Sequence, residues 1–129
     1  MNKSIVLDAS ALLAVLNQEP GHLQVEKVLP IALMSAVNVS EVVSVLIRAN
    51  IADEDAKNIV ADVIGETIPF DADQAYLAAS LTKETKRHGL SFGDRACLAL
   101  AQSYRIPVLT ADKIWSKLTI PGIKIQLLR

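Results

Sequence analysis

Short apolar runs rich in β-branched residues alternate along this chain with longer stretches whose apolar positions recur every three or four residues. The first pattern suits strands buried on both faces, and the second suits helices with one face on a core. Ser4 to Leu7 reads as a strand. Ala11 to Leu16 continues as helix until Pro20-Gly21 breaks it. His22 to Leu29 looks helical, and Pro30 stops it. Leu33 to Val37 reads as the second strand, after which Asn38 opens a helix with Val39, Val42, Val43 and Leu46 at its apolar positions. Asp53 caps the next helix, which ends near Gly65. Thr67 to Phe70 is a short strand that Pro69 confines to a sheet edge. Asp71 and Gln74 form a capping box for a helix ending at His88-Gly89. Ser91 opens a helix dense in Ala and Leu, and a helix apolar nearly all round is a buried one. Pro107 to Thr110 is a strand, Ala111 to Lys117 a short helix, and Ile123 to Leu127 a last strand.

Strands separated by helices require right-handed crossovers and a parallel sheet covered on both faces. The pattern therefore predicts an α/β fold over a single domain, residues 1–129. The expected architecture is a three-layer α/β/α sandwich around a central, mainly parallel sheet of four or five strands. Such sheets place ligands outside the carboxyl ends of their strands.

Composition narrows the picture. A chain of 129 residues is long enough for a core without a disulfide or structural metal. Hydrophobic residues make up 51% but aromatics only 4%, so the core is aliphatic, and the apolar surplus points to surface buried by a partner. Cys97 is the one cysteine, which rules out an intramolecular disulfide and argues against a zinc site. The apolar stretch near the N-terminus is interrupted by Asp8, unlike a signal peptide, and no run approaches the roughly 18 residues of a membrane span. A soluble, cytoplasmic protein is expected. The net charge of −1 lacks the basic footprint of a nucleic-acid binder. If a polyanion binds, local arrangement and bound metal must supply the positive field.

The candidate chemistry lies in four acids. Asp8 follows the first strand, Glu41 lies a helical turn beyond the second, Asp94 is in the first turn of the buried helix, and Asp112 follows the strand ending at Thr110. In a parallel sheet those positions share one edge. Converged carboxylates repel one another unless protonated or neutralised by a cation. Hard divalent ions such as Mg²⁺ take oxygen ligands and can lower the pKa of a water and stabilise charge on a phosphoryl group. A blander reading stands beside this one: Asn38 to Glu41 and Ser91 to Asp94 both fit capping boxes, and first-turn acids suit the helix dipole. Asp8 resists that reading, because it interrupts an apolar stretch where an unpaired aspartate is costly.

At these residues the chain resembles PIN-domain proteins, and within them the VapC-type toxin ribonucleases of VapBC toxin–antitoxin pairs. The matching segments are Val6 to Ala14, Asn38 to Val42, Leu90 to Ala101 and Val108 to Lys113, in order and spanning nearly the whole chain. Pro69-Phe70-Asp71 and Glu19-Pro20-Gly21 are also similar. The resemblance implies a PIN-like sandwich, an endoribonuclease dependent on Mg²⁺ (or Mn²⁺), a homodimer, and a cognate VapB-type antitoxin that blocks the site. It implies Asp8 and Asp94 as metal ligands, with Glu41 and Asp112 completing the set. Ser10 and Thr110 would orient these groups or a metal-bound water. The implied reaction is attack on phosphorus by metal-activated water, leaving a 5′-phosphate and a 3′-hydroxyl.

Arg95 and Lys113 each follow an acid and either meet phosphates or balance carboxylate charge. Lys83, Lys86, Arg87 and His88 suit a helix C-terminus better than an RNA rim. Trp115 reads as packing a short helix on the core, with base stacking beside the site as the alternative. Two rival functions remain: a phospho-receiver-like signalling domain, and a PIN fold used only for binding or regulation.

Overall fold

The computed structural model describes residues 4–128. Five strands form one sheet in the order β3-β2-β1-β4-β5, and every neighbouring pair is parallel. They are β1 (Ile5–Leu7), β2 (Ala32–Ser35), β3 (Glu66–Ile68), β4 (Val108–Thr110) and β5 (Ile125–Leu127). Seven helices connect them: α1 (Ala9–Leu16), α2 (His22–Glu26), α3 (Ala36–Arg48), α4 (Asp53–Val63), α5 (Ala72–Ser80), α6 (Thr82–Arg87) and α7 (Phe92–Tyr104). The expected sandwich is present, with a sheet that is wholly parallel.

Strand alternation divides the core in two. Ile5 and Leu7 of β1 pack with Leu12, Val25, Val42, Leu46 and Val60 from α1 to α4. Val6 points the other way, into a cluster holding Leu81, Leu90, Cys97, Leu98 and Leu100 beside α5 to α7. The period of two along a strand thus assigns the helices to opposite layers. The central strands β1, β2 and β4 are buried at every residue, as continuous apolar runs predict.

Several local boundaries depart from the expected pattern. The α3 helix begins at Ala36, capped by Ser35, whose Oγ accepts from the Val37 N–H at 3.2 Å. Asn38 is therefore inside the first turn and not its cap. Asp53 is the first helical residue of α4, with Ala52 at the cap. Pro30 does not end a helix; it lies within a 3-10 turn, Leu29–Ile31, where its missing N–H is no loss. Asp71 caps α5 by accepting from Gln74 N–H, but buried Gln74 Oε1 has no partner, so the box is not reciprocal. The long helix foreseen after it breaks at Leu81 into α5 and α6. Gly65 is not a left-handed cap; a Cβ there would lie 2.8 Å from the Ala32 carbonyl oxygen, so the β3 edge can approach β2 only with glycine.

Candidate metal and nucleic-acid site

Asp8 leaves β1 and caps α1, its Oδ1 accepting from Ala11 N–H at 2.9 Å. The register pairs Leu7 with Leu109, which brings the end of β4 beside it. Thr110 Oγ1 donates to Asp8 Oδ2 at 2.6 Å, and Ser10 Oγ donates to both oxygens at 2.8 and 2.9 Å. The two hydroxyls are themselves held from behind. Ser10 Oγ accepts from Ala111 N–H at 3.0 Å, and Thr110 Oγ1 accepts from Asp112 N–H at 3.0 Å. Backbone leaving β4 thus fixes two hydroxyls, and these fix the carboxylate.

Asp8 is only 3% exposed. Burial pushes its pKa up to about 6, against the lowering effect of its Thr110, Ala11 and Ser10 hydrogen bonds, with a further upward contribution from the Asp94 charge. A carboxylate that remains costly to ionise despite these donors is one that a cation would relieve.

Asp94 sits in the first turn of α7 as half of a complete capping box. Ser91 N–H donates to its Oδ2 at 2.9 Å, and its own N–H donates to Ser91 Oγ at 3.2 Å. Its capping role and its proximity to Asp8 coexist in one side chain. Glu41 reaches the same region from α3. Asn38, 1% exposed, donates through Nδ2 to Glu41 Oε1 at 2.8 Å and to the Gly93 carbonyl at 2.9 Å. A Cβ at Gly93 would lie 2.6 Å from the Glu41 carboxyl carbon. Asn38 and Gly93 are not among the residues that the sequence marks as functional. The available signal was an Asn three residues before Glu, which reads equally well as a cap.

Cys97 records the convergence. Burial pushes its thiol well above the usual range, and the charges of Asp8, Asp94 and Glu41 push it further. Asp112 is exposed and caps the following 3-10 turn (Lys113–Lys117), its Oδ1 accepting from Ile114 N–H at 3.1 Å. Its backbone N–H reaches the group through the Thr110 hydroxyl, while its carboxylate stays at the rim, and the structure does not bring it together with Asp8, Glu41 and Asp94. Among the described residues, no three acids, histidines or cysteines stand at direct ligand spacing. The donor set still fits a hard cation: Mg²⁺ keeps several waters and takes only one or two carboxylates directly.

A cleft of about 720 Å³ opens beside these acids between α1, α3 and the start of α7. Trp115 is fully buried, so the base-stacking alternative for it falls. Arg87 and His88 lie 3.4 and 3.7 Å from Glu84, so this part of the basic stretch is spent on local pairing. Lys113 is exposed.

The profile of the PIN domain family matches residues 5–120. The chain belongs to that family. PIN membership removes the receiver-like alternative, as does a 3-2-1-4-5 sheet, since receivers have the order 2-1-3-4-5. Solved structures similar to this PIN domain include a toxin–antitoxin complex from Klebsiella pneumoniae, 22% identical with a TM-score of 0.73 over 93% of this chain and 95% of that one. A DNA-bound VapBC from Salmonella typhimurium is 18% identical, with a TM-score of 0.75 over 99% and 100%. Mycobacterium tuberculosis VapC20, a toxin described as cleaving the sarcin–ricin loop, is 19% identical with a TM-score of 0.69 over 90% and 97%. At these identities the likeness is one of fold. No curated protein sequence matches the chain. Among the described residues no helix is long and apolar enough to cross a membrane.

Proposed function

We propose that this PIN domain is an Mg²⁺- or Mn²⁺-dependent endoribonuclease, the toxin of a type II toxin–antitoxin pair. The observation that carries the reading is buried Asp8 at the carboxyl edge of the sheet, its pKa raised by burial and further by the like charge of Asp94. Asp8, Asp94 and Glu41 would hold the ion, with Asp112 completing the set from the rim. When bound, the ion supplies a lowered pKa for a water and stabilises charge on the phosphoryl group.

The chain's own residues set the rest. The Thr110 hydroxyl proton is committed to Asp8, and its oxygen accepts the Asp112 N–H. Ser10 is engaged in the same way between Asp8 and the Ala111 N–H. Both are positioning residues for the Asp8 carboxylate, as Asn38 is for Glu41.

The toxin–antitoxin complexes among the structural neighbours support a cognate antitoxin as partner; the homodimer rests on the chain's apolar surplus.

The test is incubation of purified wild type and Asp8→Asn with total cellular RNA, with Mg²⁺ or Mn²⁺ and with chelator, followed by mapping of new ends. Metal-dependent cuts by wild type alone are expected, with Asp8→Asn and Asp94→Asn reduced by a hundredfold or more while both stay folded by circular dichroism. Full activity in both variants would sink the site assignment. Metal binding without cleavage of any RNA would leave the binding-only PIN fold.

A further inference from the structure

The cleft beside the acids has direction. Glu41, Ser44 and Arg48 line it from one face of α3, because residues three, four and seven apart on a helix share a face. Glu41 and Arg48 are seven residues apart, so about 10 Å of helix separates the acidic end from a guanidinium. Arg48 is exposed and makes no ion pair among the described residues. Phe92, 50% exposed, lines the acidic end. A cation set along a groove with an aromatic ring is the combination that tracks a single nucleic-acid strand, the charge meeting phosphate and the ring meeting a base. A span of about 10 Å accommodates roughly three nucleotides stacked at about 3.4 Å each.

We infer that this cleft carries the single-stranded RNA substrate away from the acidic site, and that Arg48 anchors a phosphate of that strand. The inference rests on the proposed ribonuclease reading. It also addresses the unfavourable overall charge. With a net charge of −1 the molecule attracts RNA poorly as a whole, so a local cation one short step from the acids has a large relative effect. A cation in the last turn of α3 also suits the helix dipole; that role alone affects stability and not RNA.

The experiment follows steady-state cleavage of a short fluorescein-labelled single-stranded RNA by wild type, Arg48→Ala, Arg48→Lys and Lys124→Ala across a range of salt. Lys124 lies before β5, at the opposite end of the parallel strands, and serves as the control. Loss of one phosphate contact flattens the dependence of log kcat/KM on log salt by about 0.7. Arg48→Ala is expected to show that flattening, with KM raised on the order of fivefold and kcat unchanged. Arg48→Lys should restore most of the slope, and Lys124→Ala should match wild type. An unchanged slope in Arg48→Ala, with wild type active, overturns the inference and leaves the ribonuclease reading standing. So does a variant that loses only thermal stability, or only affinity for a protein partner. Absence of cleavage by wild type overturns both.

Discussion

Asp8 pays for its position at the carboxyl edge of the sheet in ionisation energy. Its carboxyl, ordinarily near 3.8, is raised to about 6 by burial, and the Asp94 charge adds to this. Between those values the native protein holds a proton that the unfolded chain has released. The Asp8 contribution to stability is therefore fully present below about pH 4 and lost as pH rises through about 6. In chelator, urea midpoints of wild type should fall over that window relative to Asp8→Asn, which cannot ionise there. Superimposable profiles for the two proteins would refute the assignment. The same residue shows what could be read in advance. An aspartate between Ile5-Val6-Leu7 and Ala11-Leu12-Leu13 is visible as an anomaly in sequence, and Ser10 and Thr110 stand beside motif acids. Trp115 also reads correctly, as a core residue, whereas Phe92 marks the limit: its half-exposed place at the cleft depends on tertiary packing that its local pattern does not carry.

At the scale of elements, the α3–α7 contact determines how Glu41 is presented. Gly93 leaves room for its carboxylate, and Asn38 ties it to the α7 backbone. Gly93→Ala should therefore separate folding from function. Alanine is favoured in a helix over glycine by about 1 kcal/mol, and the group it displaces is the far end of a flexible side chain. Thermal stability should stay equal or rise, while Mn²⁺ affinity by calorimetry drops on the order of tenfold, the usual effect of disturbing a ligand's support. Asn38→Ala should lower both, since it also leaves the Gly93 carbonyl without its buried donor, at about 1–3 kcal/mol. Gly93→Ala with native metal affinity would show that Glu41 is placed by other means. This contact was illegible in the sequence for a specific reason. Leu33 to Val37 is apolar except for Ser35, and that serine and Asn38 are both good N-cap residues, so local pattern alone does not choose between them. With Asn38 taken as the cap in place of Ser35, a buried tether looks like a helix cap. The layer order survived such errors, because alternation of strand and helix is a longer-range signal than any boundary.

For the whole molecule, the unresolved balance is between apolar content and surface. Mean hydropathy is +0.33, and two core clusters absorb most of the aliphatic residues. Leu23 and Tyr76 nevertheless remain 63% and 74% exposed on opposite layers, and Ile125 and Leu127 on the edge strand β5 are half-buried. Scattered exposed apolar residues are ordinary on a monomer, so the decisive property is self-association. A stable interface covers about 800 Å² on each partner, and the free chain exposes 7232 Å². Sedimentation velocity across the micromolar range should show a dimer. If Tyr76 lies in its interface, Tyr76→Ser should weaken the dimer with little change in melting temperature, because so exposed a ring adds little to the core. A dimer indifferent to Tyr76→Ser would move the interface to another face, the open β5 edge being the next to test by a charged substitution at Leu127. A species that stays monomeric at every concentration would overturn the dimer, leaving the exposed apolar residues as ordinary features of a monomer.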